Sequence, residues 1–374
     1  MSPRSRIVAT IAVAASLSAS YLLGLQVGDR HLSPVDEAKA SILARAAKVI
    51  DPATLEHAAI EGMLKATGDR WSSFYDAKQF AFYNESLAGR FTGVGIWLRA
   101  APFGGVEVAS VQTGSPAGTA GVKSADAIIG IDGTDLSHAT VPTVAAALRG
   151  ADGTPVTLHL VRSGIDLSLT MIRREVAIPD VEALNLPNGD LLIQITAFTV
   201  GVGKLVAEEL RTHPHQSGVI LDLRNNPGGL IEEAVNVAGL FLDGGVVVSY
   251  QRRGLDTRVL EANPGSETLD PLVVLVNHQS ASAAEVVAGA LQDRNRAVIV
   301  GSRTYGKGSV QESVTMSDGS SIQITVGKYR TPTGRYIDGV GVSPDVQASD
   351  TNAVTIGEAV LKSLSSVSAR GGKG

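Results

Sequence analysis

The spacing of hydrophobic positions changes character twice along the chain. Ser33-Pro34-Val35-Asp36 sets out an N-cap, a proline at the first helical position and an acidic third residue. Ile42, Leu43, Ala46 and Ile50 follow at helical spacing. Asp51-Pro52 opens a second helix striped by Leu55, Ala59, Met63 and Leu64, and Gly68 ends it. These two helices are expected to form a packing or dimerisation element. From about Phe91 to Arg174 the period drops to two, punctuated by glycine turns. Val94, Ile96 and Leu98 alternate, Val106, Val108 and Val111 make a second strand, and Ala127 to Ile131 a third, turned by Asp132-Gly133. Val141 to Leu148 is a predicted helix; Val156 to Val161 and Leu167 to Ile172 are strands joined at Ser163-Gly164. This is a small β domain carrying one helix.

From about Pro179, apolar strands alternate with helices. The series runs Leu191–Ile195, Gly203–Leu210, Gly218–Leu223, Ile231–Phe241, Val246–Tyr250, Leu272–Val276, Ala283–Leu291 and Ala297–Val300. Such alternation predicts an α/β fold with a largely parallel sheet. The tail from Ala348 is a predicted helix that frays into Gly371 to Gly374.

The chain's 374 residues suit two or three domains. Its 32 basic and 37 acidic residues leave a net charge of −5, with no positive excess to neutralise phosphates, which argues against a nucleic-acid binder. The absence of cysteine excludes disulfides, thiol nucleophiles and thiolate-held zinc. Of the seven histidines, none forms an HExxH, and His213 and His215 only flank Pro214 in a polar turn. No metal and no cofactor are expected. Arg4 and Arg6 precede an uncharged run from Ile7 to Gly28. That arrangement is a secretion signal, with Ala15, Ser18 and Ser20 small enough for a signal peptidase. At ~1.5 Å per residue it also reaches across a ~30 Å hydrocarbon core as an uncleaved anchor. Either way the remainder is expected outside the cytoplasm.

Two strand-to-helix turns carry candidate chemistry, because sites in α/β sheets form where strands end. Leu221 to Gly229 runs from a buried strand into Pro227-Gly228-Gly229, where bare backbone N–H groups can face a ligand. Val276 to Glu285 ends a strand and starts a helix near Ser282. Serine there is an ordinary cap, but a helix N-terminus also stabilises the negative charge of a nucleophile. No GxSxG is present, which argues against an α/β-hydrolase. His278 sits at the strand end with nothing to aim it at Ser282. Lys307, in Gly306-Lys307-Gly308, is the other candidate base; it needs a dry pocket to bring its pKa down from ~10.4. Gly301 to Gly308 also nearly matches a phosphate-binding loop, but Gly308 replaces the required hydroxyl and Ser309 to Val314 alternates like a strand. The nucleotide reading is rejected.

With these residues in view, the chain from Phe91 to the early 340s resembles the carboxy-terminal processing peptidases, tail-specific serine proteases with a Ser/Lys dyad and an embedded PDZ domain. Gly68 to Tyr75 resembles the segment that closes their N-terminal helices. Gly93-Val94-Gly95-Ile96, Ser115-Pro116-Ala117 through Ala120-Gly121-Val122, Asp126 to Gly133 and Leu148 to Thr154 resemble the PDZ domain. Asp222–Gly229, Ser280–Glu285 and Tyr305–Gln311 resemble the three catalytic segments, and Tyr329 to Asp345 the closing one. Departures are Ser124-Ala125-Asp126 where Pro-Gly-Asp is usual, Asn277-His278-Gln279 where a glycine commonly precedes Ser-Ala-Ser, and Ala284 for a frequent serine.

The resemblance implies a crotonase-like β/α superhelix core with an inserted PDZ domain and N-terminal helices. The expected organisation is a signal or anchor over 1–30, a helical region over 31–86, a PDZ domain over 87–175, a peptidase core over 176–348 and a C-terminal helix and tail over 349–374. It makes Ser282 the nucleophile, Lys307 its general base and Gln311 the group that orients the lysine amine. The oxyanion hole would join the backbone N–H of Ala283 with that of Gly228 or Gly229, Gly228 being preferred. Gly93, Val94, Gly95 and Ile96 would bind the substrate carboxylate and tail. Expected partners are proteins with apolar C-terminal tails, an adaptor or activator protein, the membrane through an uncleaved N-terminal segment, and a second copy of the chain. The expected setting is the periplasm, cell envelope or exterior. The competing reading is a non-catalytic PDZ scaffold of the cell envelope.

Overall fold

The computed structural model describes residues 33–371 apart from Arg70, Arg90, Phe91, 102–104, 112, 113, Ser124, Thr140, 176–179, His215 and Gln216. The expected signal or anchor lies outside the described residues, among which no helix is long and apolar enough to cross a membrane. The chain divides into two compact units, one ending at Phe74 and one beginning at Tyr75.

The first unit holds α1 (Pro34–Arg45) and α2 (Pro52–Ala66). The Ser33 hydroxyl accepts from the Asp36 N–H while the Asp36 carboxylate accepts from the Ser33 N–H, a complete capping box ahead of Pro34. Asp51 caps α2, and Gly68 ends that segment at φ +70°. Helix α1 stops earlier than its stripe suggested, so Ala46 and Ile50 lie beyond it. The chain must leave helical geometry there to present Asp51 as the next extended N-cap. An ion pair between Lys39 and Glu56 ties the two helices. Neither helix buries a residue, and Ile42, Leu43 and Met63 stay exposed.

Strand β1 (Ser73–Tyr75) spans the boundary. A further helix, α3 (Ala77–Leu87), opens on a second capping box, Asp76 with Gln79. A β module follows. Its neck is closed by antiparallel pairing of β2 (Thr92–Gly93) with β9 (Arg174–Glu175). Between them run β3 (Ile96–Ala100), β4 (Val106–Val111), α4 (Pro116–Thr119), β5 (Ala127–Ile131), β6 (Thr134–Asp135), α5 (Val141–Leu148), β7 (Pro155–Arg162) and β8 (Ile165–Ile172). The sheet order is β3-β4-β5-β7-β8 with β6 on β5. Asp132-Gly133 and Ser163-Gly164 all take positive φ, as two-residue hairpin turns require. Val106, Val108, Ile128, Val144, Leu158 and Leu160 form the module's own core. Strand β3 is at the sheet edge, with α5 packed against it.

The remaining chain forms the α/β core: β10 (Val181–Asn185), β11 (Leu191–Ile195), α6 (Val202–Thr212), β12 (Val219–Asp222), α7 (Ile231–Gly239), β13 (Gly245–Gln251), β14 (Thr257–Ala262), β15 (Leu272–Val276), α8 (Ala283–Asp293), β16 (Val298–Gly301), β17 (Ser309–Thr315), β18 (Ser321–Arg330), β19 (Val346–Gln347) and α9 (Ala353–Gly371). One sheet runs β10-β11-β12-β15-β16-β19, parallel throughout except for β10. Strands β12 and β15 are buried at every residue. Alternation explains this: Leu221, Val274 and Val276 face the cluster built with α6, α7 and α8, while Ile220, Val273 and Leu275 face Ala353 and Leu361 of α9.

The expected place of Val246–Tyr250 in the parallel series is corrected. Strand β13 pairs antiparallel with β14 and β18 in a second sheet that also holds β17. Gly244 and Gly245, both at positive φ, turn the chain out of the first sheet. The short link to β14 has no room for the helical crossover that a parallel neighbour needs.

Candidate active site

The neighbouring parallel strands β12, β15 and β16 end side by side, and their following turns carry the candidate residues. Ser282 is the N-cap of α8 with φ +54° and ψ −115°. A non-glycine residue there stores ~1–3 kcal/mol of backbone strain, so its surroundings must hold it. Three bonds do so: the Ala281 N–H donates to Asn226 O at 2.9 Å, the Val286 N–H to Ser282 O at 3.0 Å, and the Ser282 N–H to Glu285 Oε2 at 2.9 Å.

Glu285 is wholly buried and accepts three further hydrogen bonds. They come from the Gly306 N–H at 2.7 Å, the Lys307 N–H at 2.8 Å and the Thr304 hydroxyl. One carboxylate therefore joins the backbone of Ser282 to the backbone of Lys307. Burial pushes its pKa up, and the four donors pull against that. All four contacts donate to it, which suits the ionised form. Thr304 in turn accepts from the Val342 N–H at 2.7 Å. The residue pattern Ser-x-x-Glu before a helix signals a capping box, so Glu285 had a local signature. Its bonds to residues 304–307 had none.

Lys307 lies half-buried, and burial pulls its pKa below the usual lysine range. The turn around it is pinned: the Tyr305 N–H donates to Ser280 O at 3.0 Å and the Gly339 N–H to Gly306 O at 3.0 Å. A Cβ on Gly308 would come within 2.2 Å of the Asp338 nitrogen, so only glycine fits. Strand β17 follows, and Gln311 sits on it opposite Thr325, half-buried. His278 is exposed on its turn.

The glycine turn meets the serine turn. A Cβ on Gly228 would lie 2.8 Å from Ser282 Cβ and 3.0 Å from the Ala283 nitrogen. Gly228 has φ +103° and Gly229 φ +140°, where a Cβ would strike Phe198 O at 2.3 Å. The structure thus brings Gly228, Ser282 and Ala283 together. The Gly228 N–H donates to Asn226 Oδ1 at 2.8 Å; Asn226 is fully buried and its Nδ2 donates to Ile195 O at 2.8 Å. Below this, Asp222 pairs with Arg224 at 2.6 Å. Asn277 accepts from the Asn225 N–H at 3.0 Å and donates to Asp350 at 3.2 Å, while Ser280 donates to Leu223 O at 2.7 Å. Glu285, Asn226 and this network escaped the reading of the sequence, since carboxamides and ion pairs at turns carry no periodic signal.

Gly93 ends β2, Gly95 takes φ +76°, and Ile96 starts β3. Val94 is 2% exposed with its carbonyl taking the Ala117 N–H at 2.9 Å. Its side chain therefore belongs to the module's core, leaving backbone as what this loop can offer. No cluster of metal-ligating side chains occurs among the described residues.

Residues 191–348 match peptidase family S41, and residues 107–162 match the PDZ domain. The chain is 32% identical over 325 residues to the carboxy-terminal processing protease CtpA of Bacillus subtilis (strain 168), covering 86% of this chain and 70% of that one. It is 36% identical over 317 residues to the chloroplastic carboxyl-terminal-processing peptidase 3 of Arabidopsis thaliana, covering 78% of this chain and 60% of the relative. Among solved structures, the photosystem II D1 C-terminal processing protease superposes with a TM-score of 0.56 at 30% identity, over 86% of this chain and 92% of that one.

Proposed function

The chain belongs to peptidase family S41, among its carboxy-terminal processing proteases, and is a serine-type peptidase with a PDZ domain; from there we propose that Ser282 is its nucleophile and Lys307 its general base. The observation that carries this is the buried carboxylate of Glu285, bonded to the backbone of both residues. Neutral Lys307 takes the Ser282 proton, Ser282 attacks the peptide carbonyl, and water hydrolyses the acyl-enzyme. Ala283 and Gly228 supply the oxyanion N–H groups, so the Gly228 N–H turns from Asn226 toward the oxyanion during the reaction. Gln311 orients the lysine amine. The core is a crotonase-like β/α superhelix, with domains over 31–86, 87–175, 176–348 and 349–374.

The pH dependence has a definite sign. Only the neutral amine can act as base, so kcat/KM rises with pH through the depressed Lys307 pKa. The acid limb falls below the ~10.4 of an ordinary lysine and disappears in Lys307→Ala. Because the unfolded chain binds this proton more tightly, Lys307 also makes stability rise with pH between its folded and unfolded pKa values. A pH–rate profile alongside thermal melts checks both.

Substrates are proteins with apolar C-terminal tails. Such a tail adds as a strand beside the edge strand β3, under α5, with its carboxylate on the Gly93–Ile96 backbone. The test is cleavage of an unstructured protein ending in apolar residues, against the same protein with an amidated C-terminus. Amidation is expected to lower kcat/KM about tenfold or more, equivalent to ~1.4 kcal/mol. Equal rates would sink tail recognition. Tail binding without any cleavage would favour the scaffold reading. The export reading makes residues 1–30 a signal or anchor and puts the enzyme in the periplasm or envelope, where an adaptor or activator protein engages it. The exposed Ile42, Leu43 and Met63 support a homodimer, against which a monomeric mass in light scattering would count.

A further inference from the structure

Asn226 is fully buried, and all four of its polar groups are engaged. Its N–H donates to Leu223 O at 3.3 Å, and its carbonyl accepts from the Ala281 N–H at 2.9 Å. Its side chain bridges the glycine turn to the end of β11: Oδ1 accepts from the Gly228 N–H and Nδ2 donates to Ile195 O, both at 2.8 Å. These partners fix which way the carboxamide lies, since a carbonyl only accepts and an N–H only donates. The Gly228 N–H carries one proton, and that proton points at a buried carboxamide. An oxyanion that takes it must displace Asn226 Oδ1.

The surrounding bonds leave one peptide free to turn. Upstream, the Asn226 carbonyl is held by Ala281; downstream, the Gly228 carbonyl accepts from the Phe198 N–H at 2.9 Å. The Pro227–Gly228 peptide lies between these anchors, and no bond holds the Pro227 carbonyl among the described residues. Turning this peptide changes mainly ψ of Pro227 and φ of Gly228. Proline fixes its own φ but leaves ψ open, and glycine takes either sign of φ at little cost. Gly228 now stands at φ +103°.

We propose that Asn226 is the positioning residue of the oxyanion site: its carboxamide holds the Gly228 N–H in the free enzyme, and the oxyanion takes that N–H over as the Pro227–Gly228 peptide turns. This rests on the reading of Ser282 as nucleophile and Gly228 as an oxyanion donor. Asn226 touches no substrate and acts through Gly228. Its backbone carbonyl also steadies Ala281, in the turn that leads to Ala283, so one residue holds both donor turns. The site is complete only with a substrate in place.

Asn226→Asp tests this in solution, in the full chain with a quenched-fluorescence peptide. While neutral, the new carboxyl repeats both bonds, its O–H donating to Ile195 O and its C=O accepting from Gly228. Once ionised it only accepts, and it grips the Gly228 N–H with a charge-assisted bond. As it ionises, kcat is expected to fall about tenfold with KM unchanged, an alkaline limb that wild type lacks. Asp222, Arg224, His278, Glu285 and Lys307 are present in both proteins, so a limb confined to the variant belongs to position 226. Melting temperatures taken at each pH keep unfolding out of the rate. Wild-type kcat at every pH, with Ser282→Ala inert, overturns the proposal and leaves the nucleophile standing. A crystal structure of wild type with an inhibitory peptide boronate decides the same point without a variant. A tetrahedral adduct on Ser282 is expected, its oxygen bonded to the Gly228 and Ala283 N–H groups and Gly228 out of hydrogen-bond reach of Asn226 Oδ1. An adduct on Ser282 with Gly228 still bonded to Asn226 overturns the proposal alone. A boronate held elsewhere than on Ser282 overturns both readings.

Discussion

Ser282→Ala and Lys307→Ala each lower cleavage of an unstructured, apolar-tailed protein by about 10³-fold or more, and the double variant is no worse than either single one. The non-additivity follows because the two residues perform one step: without the base the hydroxyl keeps its proton, and without the hydroxyl the base has nothing to take. Neither substitution threatens the fold. Alanine at 282 inherits the same φ of +54°, so the strain is unchanged. The bonds that hold the turn run through the backbone, from Ser282 to Glu285 and from Ala281 to Asn226. Alanine at 307 removes a half-buried amine that the fold already disfavours in its charged form, while the Lys307 N–H bond to Glu285 survives. Melting temperatures within a few degrees of wild type, measured beside the rates, separate lost chemistry from lost structure.

Glu285 is expected to give the largest combined effect on activity and stability. Glu285→Ala strands the N–H groups of Ser282, Gly306 and Lys307 and the hydroxyl of Thr304 in a buried site. At ~1–3 kcal/mol for each group left unpaired, the loss is comparable with the ~5–15 kcal/mol that holds a typical domain. The variant is expected to melt far below wild type and to be inactive. Glu285→Gln is the sharper probe. Its shape is the same, but one oxygen becomes an NH₂ that faces donors, so at least one of the four bonds is lost. It is expected to fold, to melt several degrees lower, and to lose at least tenfold in kcat with KM nearly unchanged. A Glu285→Gln enzyme with wild-type kcat would show that the two turns need no shared carboxylate.

Much of this architecture can be read in the chain. Ser33-Pro34-Val35-Asp36 closes its capping box within four residues, and Leu272–Val276 is a strand because five apolar residues between turns have no other use. Val141–Leu148 and the two positive-φ hairpins are equally local. The partner of a strand is not local: Val246–Tyr250 has the composition of a core strand, yet the glycines before it send it to the antiparallel sheet. The site divides the same way. Ser282 and Lys307 stand out by residue type and by resemblance, and Ser309–Thr315 is a strand where a phosphate loop at Lys307 would lead into a helix. Glu285 announces itself only as a helix cap. That its two oxygens also accept from the Thr304 hydroxyl and the Gly306 and Lys307 N–H groups of the lysine turn depends on β15 and β16 lying side by side.

The most direct measurement uses the absence of cysteine from the chain. Lys307→Cys introduces a single thiol, and alkylation with 2-bromoethylamine rebuilds an amine of nearly lysine length but lower basicity. Lys307→Cys is expected to be inert, alkylation to restore cleavage, and the acid limb of the restored enzyme to lie at lower pH than in wild type. Cleavage by the unmodified Lys307→Cys variant, or restored activity with an unmoved acid limb, would contradict Lys307 as the base.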